Sequence, residues 1–441
     1  MPLFGDGIRG GVNSPKQKEF YTRAFMPASV FRALKGEETI EVPELEELTS
    51  FIQGSGIFKH WQEIGRPDYP IRSAVVQGVE RYFHLFGLGE LDGNKWLRIV
   101  EEIFRGFAST DLSLRVVVPL LFTSFQVDRF RIAPNVVLIK MPRRLQLARY
   151  RIFEMGSGVV KPVSGSATHA LVFDNWGVKN DSPSLLMDSF AHLGEETEEA
   201  LERVLGAFRL ITGLPIGYSQ VLYWPKRWAI DYFCDLPPLY GSTFRRYPSD
   251  FDNYAWNRKQ PDIVTSADLQ RIRATMVHLK PSVDKKIALA LSRLNSCLTR
   301  ESDMDAILDA AMGLELLLAD GHEALSYKVR MRAAGLAKLS GEKVDPALVH
   351  DDVKEIYEVR SSIVHDGKVP DGKKSKRATS PSQTGGPRAH DIRIKAIKYL
   401  SLMLRARLES PEIKVPADID KRQVLALLSQ DDAQNDGQQT S

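Results

Sequence analysis

The spacing of apolar residues changes twice along this chain, and each change marks a different kind of structure. Residues 1–110 read as loops and helices, with good helical spacing near Pro43–Gln53 and Asn94–Phe107. In the second stretch Trp96, Ile99, Ile103 and Phe107 recur three or four positions apart, which predicts one buried helix face. From Leu112 to about Ala170 the texture becomes short runs of Val, Leu, Ile and aromatics broken by Pro, Asn and Gly. These predict strands at Leu114–Phe122, Val136–Lys140, Leu147–Phe153 and Thr168–Phe173. A helix is expected at Glu195–Ile211, opened by an acidic run that suits a helix N-terminus and closed by Gly213. Tyr218–Trp224 follows as a strand. Pro237–Pro261 lacks periodicity and is expected to connect two regions.

Beyond that connection every apolar pattern is helical. Ser266 is a good N-cap for a helix to about Leu279, and Pro281-Ser282 separates it from a second at about Val283–Leu298. In the third, Met304, Ile307, Leu308, Ala311, Leu314 and Leu318 keep the i, i+3, i+4, i+7 rule up to Gly321. Further helices are expected at about Tyr327–Lys338, Val349–Val364 and Asp391–Leu408. The expected fold class is thus an α+β N-terminal region followed by an all-α helical bundle. Its parts are a mixed region at 1–245, a linker at 246–265, the helical domain at 266–410 and a disordered polar tail at 411–441.

Composition narrows the function classes. A chain of 441 residues, 43% hydrophobic and 26% charged, is long enough to bury its cores without disulfides. Cys234 and Cys297 are far apart with no metal-type spacing, which predicts a reducing, cytoplasmic setting. The N-terminus lacks a basic segment followed by an apolar run, so no signal peptide is expected. No apolar run approaches the ~18 residues of a membrane helix. The net charge of +3 is concentrated: between Asp366 and Arg388 stand Lys368, Lys373, Lys374, Lys376, Arg377 and Arg388 against only Asp366 and Asp371. Lys373, Lys374, Lys376 and Arg377 are therefore candidate RNA contacts through phosphate attraction, or simply a solvated loop.

The segment Tyr357-Glu358-Val359-Arg360-Ser361-Ser362-Ile363-Val364-His365 carries the chemistry. It has the form R-x4-H, and its surroundings are ordered in the same direction. Gly313-Leu314-Glu315-Leu316-Leu317-Leu318 precedes it, then Leu325-Ser326-Tyr327-Lys328-Val329-Arg330. Together these features, over about residues 283–410, resemble the Apea-like group of the HEPN ribonuclease superfamily. That resemblance implies a helical bundle pairing into a homodimer, with the motif helices of both copies meeting at one cleft and cleaving RNA without a metal or other cofactor. It carries over Arg360 and His365, and more weakly Ser361, which stands where many members have Asn, Asp or His. Asp366 replaces a common Gly; its carboxylate either supports the imidazolium or caps the helix end. The resemblance also implies a conditional role in antiviral defence or stress, with a phage or host protein as trigger and residues 1–245 as sensor. The alternative is a non-catalytic HEPN dimerisation or interaction module.

The residue types suit that reaction. Cleavage by the RNA's own 2′-hydroxyl needs one proton removed and another delivered to the leaving 5′-oxygen, which an imidazole with a reference pKa near 6.5 can do. A guanidinium grips the extra negative charge of the transition state. At about 100° per residue, His365 falls about 140° round the helix from Arg360, so two crossing helices serve one phosphate better than one. Without catalysis, Arg360 would merely pair with a carboxylate and His365 merely cap a helix end. Glu315 lies on the apolar stripe of its helix, where a carboxylate seeks a partner; Arg360 and Arg332 are the candidates, unless it sits at the stripe's edge and reaches water. His169 reads better as a satisfied core histidine than as a ligand, and Arg143-Arg144 better as an exposed basic turn than as an RNA contact. His60, His84 and His192 are scattered and make no metal site, and there is no Gly-rich phosphate loop, HExxH, CxxC or GxSxG.

Overall fold

The computed structural model describes residues 43–57, 60, 78–87, 90–152, 159–191, 194–232, 235–248, 262–321, 323–341, 343–370 and 387–425. Two compact units divide the chain. The first takes it as far as Thr197, resumes at Tyr218–Tyr247 and ends at Ser266; the second takes Glu198–Gly217 and the chain from Ala267 onward.

The first unit is built on a six-stranded sheet of order β3-β4-β5-β1-β6-β7. Its strands are β1 (Asp111–Leu121), β3 (Arg129–Ala133), β4 (Val136–Lys140), β5 (His169–Lys179), β6 (Gly217–Pro225) and β7 (Tyr240–Arg246). β1 and β5 pair antiparallel from Asp111↔Lys179 to Pro119↔Ala170. β2 (Thr123–Phe125) and β8 (Asp262–Val264) form a separate parallel pair, so part of the expected linker is a strand. Val116–Leu121 are all buried, as in a strand covered on both faces. Helices α1 (Pro43–Gly54) and α2 (Gly93–Ala108) precede the sheet, and residues 78–86 are also helical. Between the strands come α3 (Arg143–Arg151), α4 (Lys161–Gly165) and α5 (Pro183–Ala191). Leu145, Leu147 and Val163 pack on Val117, Leu121, Val172 and Leu222 of the sheet. Phe190 of α5 stacks on Tyr240 at 5.1 Å between ring centroids.

The expected strand at Leu147–Phe153 is a helix as far as Arg151. Its apolar run suited either structure, and a buried polar anchor decides the matter. Arg149 is 1% exposed and donates to Gln146 Oε1 (2.6 Å), Gln220 Oε1 (3.1 Å) and the carbonyls of Ser164, Gly165 and Ala167. Gln220 in turn donates to the carbonyls of Arg149 and Ile152, tying α3 to β6.

The second unit is helical. It contains α6 (Glu195–Thr212) from Glu198 on, α7 (Ser266–His278) from Ala267 on, α8 (Lys285–Thr299), α9 (Asp303–Leu318), α10 (Leu325–Leu339), α11 (Pro346–Asp366) and α12 (Pro387–Glu409). α9 packs on α8 and α12, and α10 on α11. Ser302 caps α9 by accepting from the Asp305 N–H, and Asp345 caps α11 by accepting from Ala347. Asp309, 2% exposed, accepts from Arg293 (2.9 Å) and Arg300 (2.8 Å).

An α+β N-terminal region followed by an all-α bundle is therefore not the architecture. The chain is mixed α/β, with the antiparallel sheet in its middle and helices on either side in sequence. α6 shows why. Expected within the N-terminal region, it lies against α8, with Gly206 under the Leu291 side chain and Glu202 accepting from Asn295 Nδ2 at 2.5 Å. The sheet then resumes at β6. The expected tail is also shorter than drawn from Ser410. Ile413 and Ile419 are buried, residues 417–425 are helical, and Arg332, 4% exposed, grips Asp420 at 2.8 Å and Asp320 at 2.7 Å. Cys234 and the tail beyond 425 lie outside the described residues.

Two predictions follow from this packing. A Cβ at Gly106 would stand 2.2 Å from the Ala229 carbonyl oxygen, whereas one at Gly177 meets only Leu112 O at 3.6 Å. Gly106→Ala should destabilise by about 3 kcal/mol or more, and Gly177→Ala by under about 1 kcal/mol, in thermal or urea unfolding. Arg332→Met leaves both carboxylates without their guanidinium. Amide exchange in residues 413–425 should accelerate at least about tenfold, with little change in the β1–β5 ladder.

Candidate functional site

The motif lies on the last two turns of α11. Val349, Val353, Ile356, Val359 and Ile363 recur at helical spacing and are buried, so their stripe fixes how the helix is rotated. Pro346 opens the helix, and Gly367, at φ 65°, ends it with its N–H on the Ile363 carbonyl. Because the helix runs through Asp366, the angle of about 140° between Arg360 and His365 applies.

Arg360 leaves the helix at the edge of the buried stripe, with 34% of its side chain exposed. Its Nη2 stands 3.5 Å from Glu315 Oε1 on α9. Glu315 is 23% exposed as a side chain, yet Oε1 itself is shut off from water. Of the two partners expected for Glu315, Arg332 is engaged by Asp320, Asp420 and the Leu318 carbonyl, and Arg360 makes the pair. Ser361 and His365 are one turn apart on the opposite face, both exposed, and neither has a hydrogen-bond or ionic partner among the described residues. One copy of the helix thus brings Ser361 and His365 together and points Arg360 elsewhere. Val364, 55% exposed, stands between the two directions.

Lys373, Lys374, Lys376 and Arg377 lie outside the described residues. The described residues that flank them are tied to one another and to α11. Arg388 Nη1 donates to the Pro370 carbonyl at 2.8 Å, and Glu355 of α11 receives Lys395 at 2.8 Å and Arg388 at 3.5 Å. Asp352 accepts from Tyr399 at 2.6 Å and from Lys395; burial pushes its carboxyl up, but those bonds together with the charges of Lys395 and Lys398 hold it below the usual carboxylate range.

Tyr357 belongs to the motif, but its spacing alone implies no role. It is 7% exposed, one turn before Arg360, and its hydroxyl adjoins the Glu315 carboxylate. The one available signal was its i, i+3 relation to Arg360, which by itself does not separate a core tyrosine from a site residue.

The other candidates are structural or scattered. His169 is 5% exposed, with Nδ1 2.7 Å from Thr168 Oγ1 and Nε2 3.1 Å from the Val127 carbonyl, so a neutral ring satisfies both nitrogens. Arg144 approaches Asp235 at 3.4 Å. His192 lies outside the described residues. Among the described residues no group of three or more His, Cys, Asp or Glu side chains is placed to hold a metal ion, and no helix is long and apolar enough to cross a membrane.

Burial lowers the His169 pKa, so the folded state holds the ring neutral while the unfolded chain protonates it near pH 6.5. Its contribution to stability is full above that value and is lost as pH falls below it. Unfolding midpoints from pH 7.5 to 5.5 should fall less steeply in His169→Gln than in the wild type.

Comparison with known proteins brings no match to this chain, whether among protein families, curated proteins or solved structures.

Proposed function

We propose that this chain is a metal-independent endoribonuclease of HEPN type, working as a homodimer in the cytoplasm and switched on by a phage or host trigger. One observation carries the reading. A single helix end presents a guanidinium 3.5 Å from a partly buried carboxylate and, on its far face, a solvent-exposed imidazole beside a hydroxyl. Those are the groups that phosphodiester transfer to a 2′-hydroxyl requires.

In the proposed reaction the 2′-oxygen attacks phosphorus and the bond from phosphorus to the 5′-oxygen breaks. His365 takes the proton from the 2′-hydroxyl or supplies one to the departing 5′-oxygen. A dimer offers two such imidazoles, one for each transfer. Arg360 holds the charge that builds on the non-bridging oxygens, and Ser361 is placed to hydrogen-bond to the phosphate or to the ring. Glu315 keeps Arg360 at the edge of the core. Lys373, Lys374, Lys376 and Arg377 serve as an electrostatic guide for RNA through their charge. A non-catalytic dimerisation module is the second reading, favoured by the exposure of Val364 between the two functional directions.

Full-length protein in its triggered state, incubated with total RNA in EDTA, should yield fragments with 2′,3′-cyclic phosphate and 5′-hydroxyl ends. His365→Ala should slow this by about 10²–10⁴-fold and Arg360→Ala by about 10²–10³-fold. Strict dependence on added metal, or equal cleavage by wild type and His365→Ala, rules out the enzyme. A stable dimer that cleaves nothing in its triggered state supports the interaction module.

A further inference from the structure

Tyr357 and Glu315 present two polar atoms that the core has closed over. The Tyr357 hydroxyl and Glu315 Oε1 are both shut off from water, and neither has a partner at full hydrogen-bonding geometry. Leaving both unmatched would be unfavourable. They adjoin one another, and a phenol can only donate where a carboxylate can only accept. The contact is looser than a standard bond, yet close enough that Glu315, after burial itself, is what pushes the phenol's pKa up, while Arg360 opposes it. The phenol therefore stays protonated across the working range of pH and is a permanent donor.

Tyr357 is buried, Glu315 is partly exposed, and the more exposed Arg360 guanidinium stands 3.5 Å from the Glu315 carboxylate. We infer that Tyr357 is a positioning residue, whose hydroxyl holds the Glu315 carboxylate at the spot from which it aligns Arg360 for a phosphate. The inference rests on the ribonuclease reading and deepens it. Tyr357 is too buried to touch RNA, so it acts only through Glu315. Glu315 is 23% exposed and has a route to solvent; without the hydroxyl it can swing outward and take the guanidinium with it.

Two measurements on the full-length protein test this, one of them independent of cleavage. In single-turnover cleavage of a short RNA oligonucleotide in EDTA, Tyr357→Phe should slow the chemical step about tenfold, with RNA affinity changed less than about twofold. That loss should vanish in Glu315→Gln and Arg360→Ala backgrounds, because it travels through those groups. Equal slowing in every background would mark Tyr357 as ordinary core and overturn the inference, as would wild-type cleavage by Tyr357→Phe. The second measurement is the rate of Arg360 modification by phenylglyoxal, read by mass spectrometry. It should rise at least about threefold in Tyr357→Phe, the loss of roughly half the energy of one charge-assisted hydrogen bond; an unchanged rate overturns the inference. If Tyr357→Phe does not fold, Glu315→Gln carries the same measurement, and an unchanged Arg360 reactivity there is equally fatal. Should the wild type cleave no RNA even in its triggered state while Arg360 reactivity still responds, the ribonuclease reading fails and the positioning role stands.

Discussion

One helix carries both a buried stripe and the candidate site, and that constraint fixes where each candidate side chain emerges. The stripe from Val349 to Ile363 is buried against the bundle, so α11 has no freedom to rotate. With about 100° between successive residues, the fate of every other side chain on the helix is then settled. Arg360 emerges at the margin of the stripe, close enough to the core to meet Glu315 and open enough to meet a ligand. Ser361 and His365 emerge on the solvent side. A guanidinium at a core edge is held more firmly than one on an open surface, because its counter-charge sits where water screens it less.

The same physics recurs through the fold as buried polar anchors joining elements distant in sequence. Arg149 ties α3 to α4 and β6 through neutral acceptors. Asp309 draws Arg293 and Arg300 onto α9. Arg332 joins the end of α9, through the Leu318 carbonyl and Asp320, to Asp420 near the end of the described chain. Each anchor takes a charged group partly or wholly out of water, which is unfavourable unless its hydrogen bonds are nearly all made. That requirement lends these junctions their geometric specificity. The Tyr357–Glu315–Arg360 cluster differs in being looser, with two buried polar atoms short of full bonding geometry and Arg360 partly open to solvent. On the proposed function, that looseness leaves part of the Arg360 cation available to a phosphate.

Much of the fold was legible from residue spacing, and the losses are instructive. The helices from α7 to α12 are long and periodic, and their caps at Ser302, Asp345 and Gly367 are local features. The segment Leu147–Phe153 was misassigned because seven residues with scattered apolar positions suit either a strand or a helix. The choice fell to Arg149, whose acceptors lie as far off in sequence as Gln220. β7 went unseen inside a Pro- and Tyr-rich stretch because its pairing with β6 is not a local property. The tail looked too polar to fold, yet Ile413, Ile419 and Asp420 suffice to dock it once Arg332 is in place.

The sequence by itself determined the periodicity of each helix, the position of Arg360, Ser361 and His365 on one of them, and the angle between those groups. These follow from local backbone geometry, which repeats every few residues whatever surrounds it. Tertiary structure alone decided that α6 leaves the sheet region to join the C-terminal helices, that Glu315 pairs with Arg360 because Arg332 is already taken, and that Tyr357 closes over the same carboxylate. Those outcomes depend on which desolvated groups can satisfy one another across long stretches of chain, and no local pattern encodes that competition.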